Sequence, residues 1–260
     1  MHTFIDTHAH LYLSQFDEDG DAVVDSALQQ DVKKILLPNI DNSTVRQMLD
    51  MEEKYEGVCY AMMGLHPCSV DANYRDQLKM MEEWLEKRQF LAVGEIGTDL
   101  FWDKTFKDEQ EACFRAQVGW ARERGLPVVI HSRETLDWNI SIIEEEQDGA
   151  LKGIFHCFNG TVEQAERITG MGFYMGLGGV VTFKNSGMSE IVPHIDPNYC
   201  VLETDAPYLT PVPHRGKRNE SSYIPLVAKR VAEYWNMTVE QVADITTENA
   251  VRVFGPDIMP

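Results

Sequence analysis

Short apolar runs recur along the chain. Each gives way to a few chemically specific polar residues and is followed by a stretch with helical periodicity. Phe4-Ile5 leads into Asp6-Thr7-His8-Ala9-His10. Lys33-Lys34-Ile35-Leu36-Leu37-Pro38 reads as a buried strand, as do residues 58–63, 90–93, 126–130, 153–155, 173–177 and 199–202. Amphipathic segments near 21–30, 44–55, 74–88, 108–124, 134–146 and 162–170 alternate with these runs. A short helix is expected after the seventh, and two more, near 223–235 and 239–253, close the chain. Near-continuous apolar runs suit parallel strands covered on both faces. Eight strand–helix units in 260 residues predict an α/β fold, one (β/α)8 TIM barrel forming a single domain over 1–260. An open doubly wound sheet is the fallback, and it explains less well why polar residues stand at so many strand ends.

Punctuation supports the helices. Asp17-Glu18-Asp19-Gly20-Asp21 lacks the alternating ligands and late Glu of a calcium loop, so it reads as the acidic N-terminus of the first helix. Ser43 or Thr44 is positioned to cap the second helix. Gly176-Leu177-Gly178-Gly179 has Val181 where a dinucleotide fingerprint needs its last Gly, and no such site is expected.

Composition narrows the function. A chain that is 43% hydrophobic can bury a large core, yet no run of about 18 apolar residues suggests a membrane span. There is no secretory pattern at the N-terminus, and the five cysteines are odd in number with no C-x-x-C, so a reduced, cytoplasmic setting is expected. Cys157, one residue past His156, should face away from it on a strand and pack in the core. A net charge of −19 argues against a protein that coats nucleic acid. It leaves room for an enzyme that meets a phosphate backbone locally. No obligate protein partner is expected.

The polar strand ends carry the chemistry. In a TIM barrel they converge on one face, where active sites are built. Asp6, His8 and His10, then His66, Glu95, His131, His156 and Asp205, fall at successive ends. His8 and His10, two apart, can aim both imidazoles at one point. Each residue alone has an ordinary structural explanation, but those explanations would have to hold together at several strands of one barrel. Imidazoles and carboxylates suit zinc, manganese, iron or magnesium. Six candidate ligands (His8, His10, Glu95, His131, His156 and Asp205) exceed the needs of one ion, and two divalent ions bridged by a carboxylate account for the surplus. No G-x-S-x-G is present, so Ser132 is not an esterase nucleophile.

In order and spacing these motifs resemble the signatures of the TatD family of metal-dependent deoxyribonucleases, among the amidohydrolase-like barrels. The resemblance rests on Asp6-Thr7-His8-Ala9-His10-Leu11, Gly64-Leu65-His66-Pro67, Gly94-Glu95-Ile96-Gly97, residues 127–133 ending in His131-Ser132-Arg133, His156-Cys157-Phe158-Asn159-Gly160 and Leu202-Glu203-Thr204-Asp205-Ala206-Pro207. It implies that His8 and His10 hold a first metal, that Glu95 bridges both, and that His131 and His156 hold the second. Asp205 would bind metal and orient or deprotonate the attacking water. His66 and Arg133 would contact a phosphate. The chain departs from the family pattern at Thr98 before Asp99, at Glu134 after Arg133, and at Ser221-Ser222 after Arg218-Asn219-Glu220. None of these removes a metal ligand; they reshape the mouth of the site.

Two further features bear on substrate. The basic loop at 213–219, with Arg215 and Arg218, follows the eighth strand and is expected to guide phosphate. Phe101 and Trp102 either stack a nucleobase or pack their own loop. The expected activity is a metal-dependent exonuclease trimming single-stranded DNA ends. The rivals are a barrel hydrolase for an amide, lactone or phosphotriester, and a metal-binding scaffold without catalysis.

Overall fold

Apolar residues two apart on a strand share a face, and eight parallel strands place such pairs around a closed ring. The structure, a computed structural model, describes residues 2–260. Strands β1 (Phe4–Asp6), β2 (Val32–Pro38) and β3 (Cys59–Met62) form one parallel ladder. Strands β4 (Val93–Asp99), β5 (Val128–Arg133), β6 (Gly153–Phe155), β7 (Tyr174–Leu177) and β8 (Cys200–Leu202) form another. Parallel bridges Met63–Val93 and Ala9–Ala206 join the two ladders at both seams. Backbone bonds from Gly94 N–H to Met63 O (3.0 Å) and from Asp205 N–H to His8 O (2.8 Å) complete the closure. The expected (β/α)8 barrel is the fold.

Helices α1 (Gly20–Gln29), α2 (Val45–Lys54), α3 (Tyr74–Lys87), α4 (Lys107–Arg124), α5 (Leu136–Glu146) and α6 (Val162–Gly170) lie outside, each after its strand. The seventh crossover holds only the short α7 (Met188–Ile191), and α8 (Ile224–Trp235) and α9 (Val239–Phe254) follow β8. Thr161 and Thr238 each close a capping box at the start of α6 and α9. At α2 the expected cap differs. Thr44 is the N-cap, but its hydroxyl accepts from the amides of Ile40 and Asp41, tightening the turn before the helix.

Two apolar layers follow from the period-two rule. Ile5, Leu36, Met62, Ala92, Val129, Ile154 and Val201 fill the barrel interior, and Phe254 and Ile258 plug its lower end. Neighbours on the same strands, such as Ile35, Leu37, Val128, Ile130 and Phe155, face the helices. Strand β7 turns Gly176 inward. A Cβ there would stand 2.1 Å from Oε2 of Glu203, so glycine makes room for a buried carboxylate.

The inner layer also sets what rises above it. His131 stands two residues above Val129, His156 two above Ile154, and Glu203 two above Val201. On β1 and β4 the simple count fails. Register shifts occur at Phe4/Ile5 and between Val93 and Ile96. The latter corrects the expectation that the strand ends at Val93: Glu95 lies within β4, which continues to Asp99.

Candidate metal centre

Five imidazoles and four carboxylates meet at the upper ends of the strands, and Glu95 is at their middle. Its Oε2 lies 3.1 Å from Nε2 of His8 and 3.4 Å from Nε2 of His10. Its Oε1 lies 2.8 Å from Nδ1 of His131, 3.0 Å from Nε2 of His156 and 3.4 Å from Nε2 of His66. Oδ1 of Asp205 approaches His8 and His10 at 3.8 and 3.7 Å. The structure therefore brings all six candidate ligands together and adds His66. His8, His10 and Glu95, and separately His8, His156 and Asp205, offer donor atoms within 4.8 Å of one another.

The electrostatics follow from this crowding. Burial alone would raise Glu95, but the imidazoles of His66, His8 and His156 outweigh it and hold the carboxyl well below its usual range. Burial lowers His8 well below an ordinary imidazole. His156 is pushed well above one, because Glu95 and Glu203 overcome its burial. Burial pushes Asp205 up to about 6 against the pull of His156 and His10. Buried polar atoms are normally hydrogen-bonded, yet Nδ1 of His8 and Oε2 of Glu203 have no hydrogen-bond partner, and Nδ1 of His156 has only Oε1 of Glu203 at 3.4 Å. The nitrogens turned toward Glu95 are Nε2 of His8, His10 and His156, and imidazole and carboxylate donors converging within 4.8 Å are the chemistry of divalent-cation sites, so the residues fit the metals that the sequence implies.

Hydrogen bonds decide which nitrogen each ring can offer. The His10 Nδ1–H donates to the Tyr12 hydroxyl at 2.9 Å, and that hydroxyl donates onward to the Pro38 carbonyl. Nε2 of His10 is left with a free lone pair facing Glu95 and Asp205. His131 faces Asp99 Oδ2 with Nε2 at 2.9 Å while Nδ1 faces Glu95. Asp99 is held down to about 2: burial opposes this, but His131 and the Phe101 amide prevail. His66 behaves differently. Its Nδ1 accepts from the Cys68 amide at 3.0 Å, so the neutral ring carries its proton on Nε2. Although His66, Glu95 and His131 could hold a cation by distance alone, His66 is a donor in this arrangement.

Sequence reasoning missed three supporting residues. Asp99 was within reach, because it stands four past Glu95 on one strand face. Glu203 accepts the Cys157 amide at 2.6 Å and faces His156 Nδ1 at 3.4 Å. Tyr12 had no local signal, since its acceptor lies 26 residues away. Asp6, at the end of β1, ties the strand ends together instead of lining the site. Its carboxylate accepts from the Thr204 amide and hydroxyl and from Ser221 Oγ.

Two expectations are corrected. Cys157 does not pack in the core. The strand has ended at Phe155, Cys157 takes φ 49°, and its side chain lines the central cavity. Arg218 is spent within the fold: it pairs with Asp19 at 2.7 Å and Glu220 at 3.0 Å, and donates to the Gln15 carbonyl. Arg215 is exposed, with its guanidinium 3.7 Å over the Phe183 ring. Arg133 and Trp102 line the 740 Å3 cavity that opens onto Glu95, His66, His131 and Asp205. No helix among the described residues is long and apolar enough to cross a membrane.

Comparison with known proteins agrees with this architecture. The family model described as TatD related DNase matches residues 5–255. YabD of Bacillus subtilis, named an uncharacterized metal-dependent hydrolase, is 41% identical over 250 residues, covering 96% of this chain and 98% of its own. A Pectobacterium parmentieri protein named 3'-5' ssDNA/RNA exonuclease TatD is 29% identical over 255 residues, covering 96% and 98% of the two chains. The crystal structure of the TatD homologue YjjV from Escherichia coli superposes with a TM-score of 0.91 at 30% identity, covering 96% of this chain and 97% of that one.

Proposed function

The chain belongs to the TatD related DNase family and is a metal-dependent hydrolase, and from that premise we propose that it hydrolyses phosphodiester bonds at the ends of single-stranded nucleic acid. The observation that carries the reading is the division of imidazoles across one carboxylate, two facing Oε2 of Glu95 and three facing Oε1. We assign His8, His10 and Asp205 to one cation, His131 and His156 to a second, and Glu95 to both. Two divalent cations bound there supply Lewis acidity at phosphorus and lower the pKa of a water.

The protein's own groups do the rest. The Asp205 carboxylate, beside His8 and His10, takes the proton of the attacking water. The water oxygen bonds to phosphorus opposite the 3′-oxygen, the P–O3′ bond breaks, and the 3′-oxygen leaves as an alkoxide that takes its proton from solvent. His66, whose proton is fixed on Nε2 by the Cys68 amide, donates to a non-bridging phosphate oxygen. Arg133 and Arg215 are the cations retained as phosphate contacts, and Arg218 is dropped because it is already neutralised. The naming of the Pectobacterium relative as a 3'-5' ssDNA/RNA exonuclease supports single strands as substrate and cleavage from the 3′ end.

The test is turnover of end-labelled single-stranded DNA with Mg²⁺, Mn²⁺ or Zn²⁺, set against Glu95→Ala. Metal-dependent shortening from one end, lost in the variant, is the expected result. Hydrolysis of lactones or amides with no cleavage of DNA under any of these metals would overturn the reading.

A further inference from the structure

Large aromatic side chains normally bury their surface, yet the loop after β4 leaves Phe101 45% and Trp102 73% exposed at the rim of the centre. We propose that Trp102, braced by Phe101 and Arg133, is the stacking surface for the unpaired nucleobase beside the phosphate under attack. This deepens the phosphodiester reading above and rests on it.

The surface is held in place by the site itself. Asp99, whose Oδ2 faces His131, accepts the Phe101 amide through Oδ1 at 2.9 Å. The Leu100 amide donates to the Arg133 carbonyl at 3.1 Å, and the Gln110 side chain both donates to and accepts from the Asp99 backbone. The loop base is thus tied to β5 and α4, and such preorganisation lowers the ordering cost of binding. Phe101 meets Trp102 edge to face at 4.8 Å, and Arg133 lies 3.7 Å over the Phe101 ring. Arg133 also lies 5.1 Å from the centre of the Trp102 ring, and the indole, 73% exposed, still offers open surface.

Chemistry selects the occupant. Arg133 has no carboxylate partner among the described residues, in a chain of net charge −19. Resting on a ring, its guanidinium keeps N–H edges free for a phosphate. Trp102 and Arg133 line the same cavity as Glu95 and His131. A ligand filling it offers a planar π face joined to an anion that reaches the metal centre, which is a nucleotide of a single strand. Inside a duplex both faces of a base are covered by its neighbours, whereas a single strand can turn a base out to stack, so this surface favours unpaired strands. Stacking is indifferent to base identity and to the sugar, so DNA and RNA share the subsite.

Fluorescence anisotropy tests it with the full chain and labelled phosphorothioate oligonucleotides, which resist cleavage: oligo-dT, oligo-U, and oligo-dT with one abasic nucleotide moved along the strand. Trp102→Ala is expected to weaken binding of both sugars by about fivefold to on the order of a hundredfold, with Trp102→Tyr recovering most of it. In the unmutated protein one abasic position should cause the same loss, and the Ala variant should lose nothing more at that position. Equal affinities for Trp102→Ala and the unmutated protein, an abasic loss that persists in the variant, or no binding of either strand overturns the proposal. Anisotropy reads binding without turnover. A protein that shows this pattern but cleaves nothing loses the proposed reaction and keeps the subsite, whereas cleavage with Trp102 indifferent does the reverse.

Discussion

The phenol of Tyr12 is buried between His10 and the end of β2, accepting from the His10 Nδ1–H and donating to the Pro38 carbonyl. That arrangement keeps His10 in the tautomer whose Nε2 is free to ligate. Tyr12→Phe preserves the packed ring and removes the acceptor, so metal affinity should fall by about 10- to 100-fold. A chelating-dye competition titration checks this, with circular dichroism confirming the fold; unchanged affinity would show that His10 needs no such partner. The contrast between His10 and Tyr12 also shows what a sequence can reveal about a site. His8 and His10 were legible because spacing of two on an extended segment is a local pattern. Tyr12 works through a carbonyl on another strand, and nothing in its own neighbourhood announces it. Cys157 misled for the opposite reason: the period-two rule was carried two residues past the end of β6, where φ 49° turns the side chain into the cavity.

At the scale of elements, strand parity explains which parts of the centre could be counted out in advance. On β5 and β6 the inner apolar residue predicts the inward histidine two positions later. On β4 the register shift between Val93 and Ile96 breaks the count. The chain therefore looked as though it left the sheet before Glu95, and Asp99, which shares Glu95's face, was missed. The loop after β8 was misjudged because its basic composition conceals an ion pair with a distant element. Arg218 joins that loop to the start of α1 through Asp19. The bond from Arg218 holds Asp19 below its ordinary carboxylate value. A depressed carboxyl contributes to the native tie above its unfolded pKa and loses that contribution as pH falls through the folded one. The loop should accordingly loosen below about pH 4, and at neutral pH Asp19→Asn should mimic the loosening. Limited trypsin digestion checks it: cleavage after Arg215 and Lys217 should be faster in the variant than in the unmutated protein. Equal rates would mean that Glu220 and Gln15 hold Arg218 without Asp19.

For the whole molecule, the closed barrel was legible because eight apolar runs alternate with helices, whereas the form of its seams was not, since those at β3/β4 and β8/β1 are isolated bridges rather than ladders. Closure is what sets His8 beside Asp205 and lets one face gather residues from six strand ends. It also concentrates function in a chain of net charge −19, and this fixes how such a protein can hold a polyanion. Arg218 is neutralised within the fold, which leaves Arg133 at the cavity and Arg215 on the loop after β8 without a carboxylate partner among the described residues. Each single-strand phosphate neutralised contributes about −0.7 to the slope of log affinity against log salt. Two such contacts predict a slope of about −1.4, and salt screening of the chain's own negative field flattens it further. Binding of a resistant oligonucleotide measured from low to moderate salt should show that shallow dependence, with most of the affinity surviving because stacking and the metal centre carry it. A slope several times steeper would require a broad basic interface, and the arginines that would build one are committed to carboxylates elsewhere on the barrel.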